Sequence, residues 1–167
     1  MKKLLPLLLV IFAINASAQT APTKTFSAGL ELGAPTNSIY NIGFGGSGKI
    51  EIPIVTPLTL SVTAGYTSFY YKNSLVGSNT SQPAAGFVPL KAGAKFYFGP
   101  GIYLEAEGGT VIETNYSKDQ LFAYAVGPGF IIPTGKHTGV DLGFRYENWG
   151  GGRLRQTGIR VAYRIGW

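Results

Sequence analysis

The sequence predicts an all-β protein: an eight-stranded antiparallel up-and-down transmembrane β-barrel after a cleaved signal peptide. Three observations predict it. Apolar and small or polar residues alternate with a period of two through eight successive runs beyond residue 25. The runs are about nine or more residues long, the length a tilted strand needs to cross a bilayer. One face of the runs gathers six acids and six bases among glycines and hydroxyls, and the other carries no charge.

The first 25 residues are read apart from the barrel. Lys2 and Lys3 form a positive n-region, Leu4 to Ile14 an apolar h-region, and Ala16-Ser17-Ala18 a small-x-small cleavage site. The apolar run, about eleven residues, is too short to span a bilayer as a helix. The expected organisation is a signal peptide over 1–18, a short lead over 19–25 and a barrel over 26–167. Cleavage removes two of the 14 Lys and Arg residues, leaving 12 against 8 Asp and Glu, a net charge of +4.

The runs follow in order. Phe26, Ala28, Leu30 and Leu32 alternate with Ser27, Gly29, Glu31 and Gly33. Tyr40, Ile42, Phe44, Ile50 and Ile52 alternate with Gly43, Gly45, Ser47, Lys49 and Glu51. Leu58 to Tyr66 oppose Thr59, Ser61, Thr63 and Gly65, and Val88 to Phe98 oppose Lys91, Gly93, Lys95 and Tyr97. The fifth run, Ile102 to Ile112, sets Leu104 and Ala106 against Glu105, Glu107 and Gly109. The sixth, Phe122 to Ile132, sets Tyr124, Val126 and Phe130 against alanines and glycines. The seventh sets Val140, Leu142, Phe144 and Tyr146 against Asp141, Gly143, Arg145 and Glu147. The last, "GIRVAYRIGW", sets Ile159, Val161, Tyr163, Ile165 and Trp167 against Arg160, Ala162 and Arg164. Tight turns are expected at Pro53 to Pro57, Gly99 to Gly101 and Pro133 to Thr138. Longer loops are expected at Lys72 to Gly86, Thr114 to Gln120 and Asn148 to Arg155. Short turns on one rim and longer loops on the other are the asymmetry of bacterial outer-membrane barrels.

The charged face decides which side is inward. It holds Glu31, Glu51, Glu105, Glu107, Asp141 and Glu147 with Lys49, Lys91, Lys95, Arg145, Arg160 and Arg164. An eight-stranded barrel has an interior only wide enough for side chains to fill it. Long charged chains there need small neighbours and opposite charges within reach, since an unpaired charge out of water costs several kcal/mol. Glycines on this face would weaken a solvated strand, but they supply room in a narrow lumen. Thr63→Arg, on this face, is expected to be milder than an arginine at Leu90 on the apolar face if room exists. The apolar face is too extensive for a water-exposed surface, which disfavours a soluble barrel with the faces reversed. Phe26, Tyr40, Tyr66, Phe98, Phe122, Tyr146 and Trp167 stand near run ends, where interfacial aromatic girdles belong.

Composition excludes several chemistries. Cysteine is absent and His137 is the sole histidine, so disulfides, thiolate catalysis and multi-histidine metal sites are excluded. Basic residues are scattered singly, which argues against nucleic acid as a partner. "GFGGSGK" at 43–49 matches G-x-G-x-x-G, but the helix such a motif must open is broken by Pro53 and Pro57. His137 and Asp141 are not tied to a serine by any motif. Glu105 and Glu107, two apart on one side of a strand, are expected to be neutralised by Lys91, Lys95 and the arginines rather than to act as acid and base. No catalytic, metal or cofactor site is expected. The sequons at 79–81 and 115–117 read as loop residues.

The stretches "FSAGLELGAP", "FGGSGKIEIPIVTPLTLSVTAGYTSF", "LKAGAKFYFGPGIYLEAEGG" and "GIRVAYRIGW" resemble the outer membrane β-barrel domain family, small eight-stranded barrels of Gram-negative bacteria. The resemblance runs from about Thr25 to Trp167. It implies an integral outer-membrane protein, monomeric, whose partners are outer-membrane lipid and, during biogenesis, the barrel-assembly machinery. It implies that the last strand is the assembly signal, carried here by Tyr163, Ile165 and Trp167. The expected role is structural or loop-presenting, in adhesion or envelope maintenance. A narrow pore for small or hydrophobic solutes and a lipid-modifying enzyme are the alternatives.

Overall fold

The computed structural model describes residues 23–36, 38–72 and 82–167. The expected signal peptide and residues 19–22 of the lead lie outside them, as do 73–81 of the longest loop, with its sequon. Eight strands follow one another: β1 (Thr25–Thr36), β2 (Tyr40–Val55), β3 (Leu58–Tyr71), β4 (Ala85–Gly99), β5 (Ile102–Glu113), β6 (Gln120–Pro133), β7 (Thr138–Trp149) and β8 (Leu154–Gly166). Each pairs antiparallel with the next, and β8 pairs back onto β1 to close the barrel.

The period-two pattern explains the faces. Successive side chains of a strand point to opposite sides, and burial alternates accordingly. In β1, Thr25, Ser27 and Glu31 are buried and Phe26, Leu30 and Leu32 exposed. In β8, Gln156, Arg160 and Ala162 are buried while Ile159, Val161, Tyr163 and Ile165 are exposed. The barrel is therefore polar inside and apolar outside. At the outward strand positions the only charge is Arg155, at the end of β8 next to the 150–153 turn.

The strands run 12 to 16 residues, longer than the apolar runs. They extend past the apolar band toward the rim that carries the connections 37–39, 72–84, 114–119 and 150–153. The opposite rim carries Thr56–Pro57, Pro100–Gly101 and 134–137, as the turn signals predict. The connection 37–39 is as short as the turns. Gly150, Gly151 and Gly152 all adopt left-handed backbone conformations, which only glycine enters without strain.

Inward glycines do two things. A Cβ on Gly43 would strike the Phe69 ring, and one on Gly129 the Tyr103 ring, so these positions give room to interior side chains. A Cβ on Gly93 would instead strike the Ala106 carbonyl, and one on Gly109 the Leu90 carbonyl, both on the adjacent strand. There the missing side chain lets the sheet curl tightly enough to close with eight strands.

Tyr40 departs from its expected place in an outer girdle. The β2–β3 register shifts between Tyr40 and Ile42, so Asn41 is the extra residue and Tyr40 turns inward. Its ring packs 5.4 Å from Phe69 and 5.0 Å from Tyr71.

The curvature argument separates two glycines of neighbouring strands. Gly93→Ala lowers stability by about 1–3 kcal/mol, the usual cost of overpacking. Gly108→Ala, facing outward with open space around the added carbon, leaves it unchanged. Urea unfolding in detergent, followed by heat-modifiable electrophoretic mobility, measures both.

Candidate functional site

All twelve charged residues of the polar face stand inside the barrel, and they form one linear path of alternating sign. Glu105 pairs with Lys49 (2.5 Å), Lys49 with Glu107 (3.2 Å), Glu107 with Lys91 (3.6 Å), and Lys91 with Glu147 (2.6 Å). From Glu147 the path continues to Arg145 (2.6 Å) and Glu31, then to Arg160 (3.6 Å). Arg160 lies 4.0 Å from Asp141, which pairs with Lys95 (2.9 Å); Lys95 pairs with Glu51 (2.6 Å), and Glu51 with Arg164 (3.2 Å). Every base except Arg164 bridges two acids. Arg145 Nε approaches Glu147 off its N–H axis, an ion pair without a hydrogen bond.

Neutral donors complete each carboxylate. Thr25 donates to Glu51 (3.1 Å), Ser61 to Glu105 (2.8 Å), Thr63 to Glu107 (2.5 Å), Ser47 to Glu31 and Tyr103 to Asp141. Trp149 Nε1 and Gln156 both donate to Glu147 at 2.9 Å. Lys95 Nζ also stands 4.0 Å above the Tyr103 ring. A buried ion pair is worth keeping only when its remaining lone pairs and protons are satisfied; these donors serve the carboxylates, while Arg145 Nε and Arg164 Nε are left without a hydrogen bond.

The neighbours are small where the charges are long. Glu107 lies between Gly93 and Ala125 in the ladders, Lys91 between Thr63 and Gly109, and Arg145 opposite Gly158. A cavity of about 20 Å³ beside Lys49, Glu105 and Arg160 is the size of one water.

Several sequence expectations take a different form here. Glu105 and Glu107 are neutralised chiefly by Lys49, while Lys95 turns to Glu51 and Asp141. Thr63 is 1% exposed and hydrogen-bonded to Glu107, so the room on which a milder Thr63→Arg depends is absent. Lys49, the lysine of "GFGGSGK", is consumed in the ion-pair path. His137 is exposed in the turn before β7, where its carbonyl accepts from Gly166 N (2.6 Å), and Asp141 is held by Lys95 and Tyr103. Asn115 clasps the β4 entry, accepting from Gly86 N (2.7 Å) and donating to the Ala84 carbonyl (2.8 Å). Among the described residues no cluster of His, Asp and Glu is arranged to hold a metal ion. Tyr163, Ile165 and Trp167 are exposed on the outer face of the turn rim, and Trp167 N donates to the Lys24 carbonyl (3.0 Å).

Above the charges, toward the loop rim, lies an apolar plug that the sequence reading missed. Phe69, Phe87, Trp149, Leu154, Ala85, Val111 and Ala123 form one buried cluster. Phe69 and Trp149 rings meet edge-on at 5.4 Å, and the Phe87 and Trp149 rings lie tilted at 5.5 Å. Their inward direction was legible: Phe69 continues the parity of Thr63, Phe87 that of Lys91, and Trp149 that of Glu147. The runs had simply been ended where the outward apolar residues gave out.

No protein-family model matches the chain, and no curated protein matches it. Among solved structures, the barrel is similar to Ail, the attachment invasion locus protein of Yersinia pestis. The crystal structure superposes with a TM-score of 0.57 at 13% identity, covering 86% of this chain and 99% of that one. The structure of Ail in a phospholipid bilayer nanodisc gives 0.58 at 11% identity, covering 86% and 100%. A structure from the de novo design of transmembrane beta-barrels gives 0.54 at 15% identity, covering 88% and 99%. At these identities the likeness is one of fold.

The path distinguishes interior from surface charge. Lys95→Met strands two buried carboxylates and lowers stability by about 3–5 kcal/mol. Arg153→Met, which breaks the exposed 3.2 Å pair with Asp119, changes it by less than about 1 kcal/mol. Urea unfolding in detergent compares them.

Proposed function

We propose that this chain is an integral outer-membrane barrel that acts as a closed, non-catalytic scaffold, holding its loop rim outward for adhesion or envelope maintenance. The observation that carries this reading is the inversion of the barrel: a ring of exposed Leu, Ile, Val, Phe and Tyr outside, and a lumen filled by paired charges under an aromatic plug. An apolar surface of that extent is a liability in water and a requirement in lipid. Buried charges at single-water packing leave little room for a solute path. The signal peptide read at 1–18 supplies the export route. The fold shared with Ail, a protein named for attachment, supports a surface role without assigning a receptor.

In this reading the lipid-facing residues Tyr163, Ile165 and Trp167 of β8 are the signal that the assembly machinery engages. Trp167 also sits at the turn rim as an interfacial anchor.

Two experiments test the proposal. Mature protein reconstituted in planar bilayers gives no steady current; a stable ohmic conductance would favour the narrow-pore reading instead. Deleting Trp167 reduces the amount of folded protein in the outer membrane of cells several-fold more than it reduces refolding in detergent. Equal losses in both assays would leave Trp167 an anchor alone.

A further inference from the structure

Seven carboxylates stand at inward strand positions, and the ion-pair path uses six. The seventh is Glu113, the last residue of β5, on the loop side of the aromatic plug. It is 9% exposed, and its Oε2 accepts from Ser117 Oγ at 2.9 Å. Among the described residues no Lys or Arg nitrogen comes within ion-pair distance of it; Arg153, on the same rim, is engaged with Asp119. The loop residues 73–81, NSLVGSNTS, carry no cationic side chain that could serve.

Glu113 opens onto a cavity of about 470 Å³ at the loop rim. Tyr40, Tyr71 and Tyr116 line its wall, and Phe87 and Trp149 its floor. The wall rings pack against one another, Tyr40 on Tyr71 at 5.0 Å and Tyr71 edge-on to Tyr116 at 6.1 Å. The volume is that of a small-molecule pocket. Aromatic faces attract cations through the ring quadrupole, and a largely desolvated carboxylate without a counter-ion among the described residues adds a formal charge of the matching sign. A neutral sugar would leave that charge unanswered. An anion would meet Glu113, since Arg153, which also lines the cavity, is paired with Asp119 at 3.2 Å.

We propose that the loop-rim cavity is a binding site for a small organic cation of the alkylammonium class, with Glu113 as its counter-ion and Tyr40, Tyr71 and Tyr116 as its aromatic wall. The site uses none of the path's charges and requires only the folded barrel. An occupied site neutralises the one interior carboxylate that has no ion-pair partner among the described residues.

The test uses mature protein folded in detergent with Trp167→Phe, so that Trp149 is the remaining tryptophan. Titration with choline gives a saturable change in Trp149 emission, and 3,3-dimethylbutan-1-ol, the uncharged molecule of the same shape, gives none. Glu113→Gln raises the choline Kd about tenfold or more, as loss of a charged contact does. Tyr116→Ala, at an exposed position outside the strands, raises it about threefold. Heat-modifiable mobility verifies that each variant is folded. Phosphocholine as a second probe separates the source: binding equal to choline's admits the ammonium of a lipid headgroup, and weaker binding restricts the site to free cations, both agreeing with an ammonium site. Absence of a saturable response to choline, an equal response to the neutral alcohol, or unchanged affinity in both folded variants overturns the proposal.

Discussion

The structure depends on a counting constraint imposed by a narrow lumen. Eight strands enclose a space that side chains fill, and a charge in it must find its partner among its neighbours, because bulk water is not there to help. Six acids and six bases meet this constraint in the simplest connected way, as one path in which each interior cation but the last touches two anions. The path crosses the barrel repeatedly. Lys49 of β2 reaches Glu105 and Glu107 of β5, Lys91 of β4 reaches Glu147 of β7, and Arg145 of β7 reaches Glu31 of β1. Each of these contacts joins strands that share no backbone ladder. The sheet holds the wall together; the charges hold opposite walls at a fixed distance.

Around that constraint the remaining interior residues have assignable tasks. Ser47, Ser61, Thr25 and Thr63 are donors to carboxylates rather than neutral filler. Gly43 and Gly129 make way for rings, whereas Gly93 and Gly109 make way for the neighbouring backbone. Trp149 belongs to both layers of the lumen: its ring packs in the apolar plug, and its Nε1 donates down to Glu147. The change from charged to aromatic filling occurs across this one side chain.

Strand number, strand order and inward direction were legible in the sequence because a period of two is a direct image of the pleat. The twelve charges of the ion-pair path could be listed from parity alone, while Glu113, at the far end of β5, was missed. Which charge meets which could not, because pairing across a lumen depends on stagger, and stagger is invisible in a single strand. That is why Glu105 and Glu107 find Lys49, from a strand three places back in the chain, rather than Lys95 on the adjacent one. Tyr40 was misplaced because a one-residue bulge at Asn41 reverses parity without leaving a compositional mark. The plug was missed for another reason. Phe69, Phe87 and Trp149 have the right parity, but they lie beyond the ends of the clean apolar runs, so the alternation that gives their direction was not carried to them. Whether Thr63 leaves room for a longer side chain was not legible either, because a small side chain looks like a vacancy until its neighbour, Glu107, is placed beside it.

The closure between β1 and β8 has a consequence for how the molecule comes into being. Twelve paired positions join the first strand to the last, so no truncated intermediate is free of raw hydrogen-bonding edges. A helical membrane protein can be threaded into lipid one segment at a time, each satisfied within itself. Here every strand borrows its satisfaction from two others, and the first must wait for the eighth. The last row of backbone groups is therefore satisfied only when β8 meets β1, and the interior charges leave water only as the cylinder shuts around them.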